Sequence, residues 1–127
     1  MIKQIKSSEV KTYLEANPKT VLLDVRTENE WNSLGKPKIE TYNSKTYFIT
    51  VSPDLSNWQI PDPEFVKNVT KEINKENEVL VMCAAGGRSM IAAELLQNEG
   101  YIAHNISDGF SGNGQDLGWK NEGLPIL

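Results

Sequence analysis

Four apolar runs punctuate this chain, Val21-Leu22-Leu23, Tyr47 to Val51, Val79-Leu80-Val81-Met82 and Ile102 to Ile106, and segments of helical period alternate with them. Buried strands alternating with helices are the pattern of an α/β domain around a mostly parallel sheet. Gln4-Ile5 is short and strand-like and predicts an added edge. The 127 residues suit one ordinary domain, so residues 1–127 are read as a single unit.

The helices have start and stop signals. Ser7 is placed to cap the first, with Glu9 in its opening turn, Val10, Tyr13 and Leu14 on one apolar face, and Asn17-Pro18 at its end. Thr27-Glu28-Asn29-Glu30 has capping-box spacing and predicts a short helix that buries Trp31 and Leu34 before Gly35 stops it. Asp62-Pro63-Glu64 opens a third helix with Phe65, Val69 and Ile73 along one side. The fourth, from about Ser89 to Asn98, is apolar over much of its circumference, and Gly100 closes it with positive φ. Lys36 to Lys45 and Ser52 to Pro61 read as irregular surface.

Composition narrows the chemistry. A hydrophobic fraction of 39% and a charged fraction of 24% are those of a folded globular protein. The net charge is -4 with basic residues scattered, which gives no footprint for nucleic acid. No run approaches the roughly 20 apolar residues of a membrane span, and the first ten residues lack the apolar stretch of a secretory signal, so the expected location is the cytoplasm. One cysteine and one histidine exclude an intramolecular disulfide and the usual zinc sets; no cofactor is expected.

Any cysteine chemistry therefore starts from one thiol. Cys83 follows the strand Val79 to Met82 and precedes Ala84-Ala85-Gly86-Gly87-Arg88-Ser89, a small-residue loop that runs into a helix. In open α/β sheets ligands bind beyond the carboxyl ends of strands, where this thiol falls. The helix N-terminus leaves N–H groups unsatisfied and carries partial positive charge, which favours thiolate over thiol without a histidine base. Ala84, Ala85, Gly86 and Gly87 have so little bulk that backbone amides can converge on sulfur. Arg88 adds a charged fork suited to the oxyanion of a sulfur donor such as thiosulfate. A cysteine after an apolar run is ordinarily a small buried hydrophobe. A buried hydrophobe does not require four small residues, an arginine and a helix start after it, and these favour the catalytic reading.

These motifs resemble the rhodanese-like family. The loop from Cys83 to Arg88 is similar to the family's six-residue active-site loop, with the nucleophile first and arginine last. Upstream, Asp24-Val25-Arg26 with Glu30-Trp31 and Gly35 resembles its D-V-R-x-x-x-E-aromatic-x-x-G signature. Downstream, Asp108-Gly109-Phe110 and Trp119 to Pro125 resemble its closing segments. The chain departs at Gly35-Lys36-Pro37, where Gly-His-Ile is usual, and at Asp108-Gly109, where Gly-Gly is common. Ser111 to Gly114, small and polar, is expected to be a flexible loop.

The resemblance implies a three-layer α/β/α fold with a five-stranded, mainly parallel sheet. It also implies a two-step exchange: a small-molecule donor leaves its outer sulfur on Cys83, and a thiol, small or carried on a protein, or cyanide removes it. Ala84, Ala85, Gly86, Gly87, Arg88 and Ser89 would bind substrate. Two other functions compete with this one. A phosphatase or arsenate reductase also uses cysteine and arginine in an anion loop, but the tyrosine-phosphatase type encloses five residues where Cys83 and Arg88 enclose four. A non-enzymatic binding or redox-sensing module is the other, and retention of both Cys83 and Arg88 argues against its inactive form.

Remaining polar and aromatic residues have structural readings. Asp24 and Arg26 suit an ion pair at a strand end, Glu30 a cap at Thr27 or a pair with Arg26, and His104 a satisfied side chain in a strand. Trp31, Trp58 and Trp119 are read as core or loop anchors; Trp58 alone lies where an aromatic can line the cysteine pocket.

Overall fold

The computed structural model describes all residues, 1–127. Five strands, β1 (Gln4–Ile5), β2 (Thr20–Asp24), β3 (Thr46–Phe48), β4 (Glu78–Met82) and β5 (Ala103–Ile106), form one sheet in the order β1-β5-β4-β2-β3. Every pairing is parallel. The helices are α1 (Val10–Ala16), α2 (Glu28–Leu34), α3 (Phe65–Glu72) and α4 (Gly87–Glu99).

Side-chain alternation along the central strands divides the core into two layers. Val21, Leu23, Val79 and Val81 face a cluster with Phe65 and Val69 of α3 and Ala92, Ala93 and Leu96 of α4. Leu22, Leu80 and Met82 face Val10 and Leu14 of α1, together with Phe110 and Trp119. Both central strands are covered on two sides, which is why they read as unbroken apolar runs. No helix is long and apolar enough to cross a membrane.

Several local expectations are corrected. Ser7 does not cap a helix: the chain makes a 3-10 turn over Ser7–Glu9, and the Ser7 N–H and hydroxyl instead donate to Asp108 at 2.9 and 2.8 Å. The opening amide there, that of Lys6, is taken by the Glu9 carboxylate at 2.9 Å. The third strand ends at Phe48 rather than Val51, although Ile49 and Val51 still donate to the Asp24 and Val25 carbonyls as the chain bends away. Leu34 is 41% exposed rather than buried, and Trp31 is only half-buried, set edge-on against Phe48 at 5.3 Å. Lys36 to Lys45 is not wholly surface: a 3-10 turn over Ile39–Tyr42 drops Ile39 into the core.

The fold places one crevice. β3 lies on one side of β2 and β4 on the other, so chain order reverses between β2 and β4, and their carboxyl ends flank the switch point where α/β proteins bind ligands. Asp24 ends β2 and Met82 ends β4 in matching register, and Cys83 is the next residue.

Candidate active site

β4 delivers Cys83 to the sheet edge, and α4 begins only four residues later at Gly87. The intervening turn is tight because Gly86 has φ of 102°, and a Cβ there would collide with the Ser107 carbonyl. Behind the loop, the Phe110 and Ser111 amides donate to the Cys83 and Ala84 carbonyls at 2.8 and 2.9 Å. That approach needs Gly109, whose φ is 60° and whose Cβ would strike the same two carbonyls. Asp108 is fully buried and accepts from Ser7 and from the Gly118 amide at 3.0 Å, so the turn behind the loop is itself anchored. The Ser111 to Gly114 stretch, expected to be a flexible loop, is tied down: the Gly112 amide donates to the Asp108 carbonyl at 2.8 Å, and Asn113 Oδ1 accepts from Gln115 and Asp116.

Cys83 is 1% exposed, and its sulfur has two hydrogen-bond partners, the Gly86 N–H at 3.1 Å and the Ser89 hydroxyl at 3.2 Å. The expected convergence of several amides therefore comes down to one N–H and a side chain. The N–H groups of Ala84, Ala85, Gly87 and Arg88 have no acceptor within the protein. Cys83, Ala84, Ala85, Gly87, Arg88 and Trp58 line a pocket of about 200 Å³. Trp58 lies close enough to Gly87 that a Cβ there would sit 3.2 Å from its ring, and Ser52 fixes its backbone by donating to the Trp58 carbonyl at 2.6 Å.

Arg88 does not present a free fork. Its two terminal nitrogens meet the two Glu30 carboxylate oxygens at 2.7 and 2.8 Å, from α4 to α2. Glu30 also accepts from the Thr27 N–H and hydroxyl at 3.0 Å, so it caps α2 as expected but pairs with Arg88 rather than Arg26. Burial pushes the Glu30 carboxyl up, but the Arg88 hydrogen bonds, the Thr27 amide and the Arg88 charge outweigh it and hold the pKa at about 2. Arg26 is fully buried, pairs with Asp24 at 2.8 Å, donates to the Gly35 carbonyl at 2.9 Å and stacks over Phe110 at 4.1 Å. It braces the β2 end against α2 and the closing turn.

His104 lies in β5 away from this pocket. The Lys3 N–H donates to its Nδ1 at 3.0 Å, and its ring meets Tyr13 edge-on at 6.0 Å. Burial, then the charge of Lys3, pushes its pKa down, so the neutral imidazole is the bonded form. No group of three or more His, Cys, Asp or Glu side chains is arranged to hold a metal ion.

One residue of the site and one pairing escape a reading of the sequence. Asn105 accepts from the Ser89 hydroxyl at 2.6 Å, and its only signal is an amide within an apolar strand. Asp108 is visible as a departure from a glycine pair, but its partner Ser7 lies 101 residues away.

The Rhodanese-like domain model matches residues 7–114. An uncharacterized Rickettsia rickettsii protein is 35% identical over 98% of this chain and 96% of its own length. Thiosulfate sulfurtransferase 18 of Arabidopsis thaliana is 27% identical over 94% of this chain and 79% of its own. The crystal structure of an M. tuberculosis protein superposes with a TM-score of 0.83 at 27% identity, covering 98% of this chain and 96% of the other.

Proposed function

The chain belongs to the rhodanese-like domain family, whose members similar to it include a sulfurtransferase, and from that premise we propose that it carries a sulfane sulfur as a persulfide on Cys83. One observation carries the reading: the single thiol of the chain, at the end of β4, lines a small pocket together with the loop that follows it and Trp58.

In the first step the Cys83 thiolate attacks the outer sulfur of a donor. With thiosulfate, a sulfur–sulfur bond forms to Cys83 while the donor's own sulfur–sulfur bond breaks, and sulfite departs with the electron pair. In the second step an acceptor thiolate attacks the outer sulfur, and the bond to Cys83 breaks to restore the thiolate. Splitting the transfer into two displacements is covalent catalysis, and ping-pong kinetics follow. The Gly86 N–H and Ser89 hydroxyl support the inner sulfur, and the unpaired N–H groups of Ala84, Ala85, Gly87 and Arg88 supply further donors for charge on the outer one.

The test is intact-protein mass after brief incubation with excess thiosulfate. One added sulfur, removed by a thiol reductant and absent in Cys83→Ser, supports the reading. Wild-type-like transfer by the serine variant would overturn it, because the chain has no second thiol.

A further inference from the structure

Both hydrogen-bond partners of the sulfur are held by the same side chain. Asn105, in β5 and 3% exposed, accepts from the Ser89 hydroxyl at 2.6 Å through Oδ1. Its Nδ2 donates to the Gly86 carbonyl at 3.2 Å and to Gln4 Oε1 at 2.8 Å. Ser89 and Gly86 are the residues that touch Cys83 Sγ. We propose that Asn105 is a positioning residue for the chemistry at Cys83, acting through the single hydrogen of the Ser89 hydroxyl.

That hydrogen has two acceptors within reach and can serve only one. With Cys83 as a thiol, the S–H donates to Ser89 Oγ and the Ser89 O–H donates to Asn105, so every group is satisfied. Once Cys83 is a thiolate the sulfur needs a donor, and the Ser89 hydrogen turns to it. Asn105 Oδ1 would then be left buried without a partner, which costs the desolvation of that oxygen. An amide avoids this by turning over, so that Nδ2 donates to Ser89 Oγ. Gln4, the next member of the chain, is also an amide and can reverse with it, donating from Nε2 to the turned Oδ1. The reversal gives up two of the longer contacts, from Asn105 Nδ2 to the Gly86 carbonyl at 3.2 Å and from Gln4 Nε2 to Met90 Sδ at 3.3 Å, and keeps the shorter ones. Two amides in series thus let the chain run in either direction, which neither a carboxylate nor an aliphatic side chain at position 105 can do.

The test is a double-mutant cycle on Asn105→Ala and Ser89→Ala, read by the rate at which iodoacetamide alkylates Cys83 and by kcat and KM for sulfur loading from thiosulfate. Asn105→Ala is expected to slow alkylation about tenfold when Ser89 is present, the worth of one hydrogen bond, and to lower kcat more than it raises KM. In the Ser89→Ala background the same change should cost only about a third as much, because coupled residues are not additive. Equal losses in both backgrounds would overturn the proposal. Asn105→Asp, which is isosteric, provides the second arm. It keeps the acceptor for Ser89 but cannot reverse, and it adds negative charge, so the midpoint of alkylation against pH should move up. The charged groups around the sulfur are the same in that variant: Arg88 of α4, which shares the pocket with Cys83 and is paired to Glu30 of α2, and the buried Asp24–Arg26 pair at the end of β2, whose carboxylate acts on Arg88. An unmoved midpoint would also overturn the proposal. The inference rests on the sulfur-carrier reading only for its loading arm: if Cys83 shows the alkylation coupling and yet never takes up sulfur, that reading fails and this one stands.

Discussion

Glu30 and Arg88, 58 residues apart in the chain, meet in a two-pronged ion pair beside the sulfur, with nitrogen–oxygen distances of 2.7 and 2.8 Å. The pair links the first turn of α2 to the first turn of α4 across the carboxyl edge of the sheet. It also means that the loop's only cation enters the site with its charge already matched. An arginine read from sequence as an open clamp for an anion is, in the folded chain, first a strut between two helices.

The first prediction concerns the charge of the donor. The pocket wall holds Arg88 and no other cation, so a carbon-bound persulfide, which bears less negative charge than the thiosulfate dianion, should load Cys83 faster than thiosulfate at equal concentration. Glu30→Gln keeps a residue able to cap α2 and releases the guanidinium. Loading from thiosulfate relative to the persulfide should then rise roughly tenfold, near the lower end of what a charge-assisted hydrogen bond contributes. Loading rates followed by mass with each donor check this, and an unchanged ratio would remove Arg88 from donor selection.

A second prediction follows from the same carboxylate. Its pKa is lowered from 4.5 to about 2 in the folded protein, so folding stability from the pair is present above the unfolded value and is lost as pH falls from there toward about 2. Urea unfolding across this range should show a loss of about 1–3 kcal/mol that Glu30→Gln does not show. A parallel pH profile in the variant would mean that other carboxylates carry the acid sensitivity.

The third prediction is at the opposite sheet edge. His104 is held neutral, with a pKa below its usual 6.5, by burial and then by Lys3, and its Nδ1 accepts from the Lys3 N–H. Because the unfolded chain takes up the proton more readily, this contribution is complete above the unfolded value and declines as pH falls below it. The Asn105 and Ser107 amides, which donate to the Lys3 and Ile5 carbonyls of the β1 edge, should lose hydrogen-exchange protection in that range. His104→Gln should abolish the pH dependence of that protection.

What was legible in the sequence was local or periodic. The β4 strand, the turn after Cys83 and the start of α4 occupy consecutive residues, and the apolar spacing of Phe65, Val69 and Ile73 reports a buried face directly. The Thr27–Glu30 capping box is likewise contained in four residues. Illegible features were polar pairings across the fold. Ser7 has the chemistry of a helix cap, but Asp108 reaches it first from the far end of the chain. Glu30 makes its cap through Oε1 alone, so its carboxylate still has room for Arg88, and no spacing rule reports that second partner. Tyr47 to Val51 has strand composition throughout, yet β2 ends at Asp24, so the residues after Phe48 have no ladder left to extend. Leu34 met an apolar period in the sequence and solvent in the structure, because α2 buries none of its residues fully.

The last prediction concerns Trp58, which is 38% exposed and forms the side-chain wall of the Cys83 pocket opposite the loop backbone. Its ring rests on Gly87, where an added Cβ would lie 3.2 Å from two ring carbons, and the segment carrying it is pinned where Ser52 meets the Trp58 carbonyl. A wall set by one side chain on an irregular segment controls access more than stability. Trp58→Ala should therefore cost only about 1–2 kcal/mol in urea unfolding while exposing the sulfur. Alkylation of Cys83 should accelerate more for a bulky maleimide than for iodoacetamide, since the smaller reagent is the less hindered by the ring. Gly87→Ala tests the same wall from the other side: its methyl group must displace the indole, and the preference for the small reagent should weaken in that variant too. If Trp58→Ala raised both alkylation rates by the same factor, the ring would be altering the reactivity of the sulfur rather than the width of its entrance.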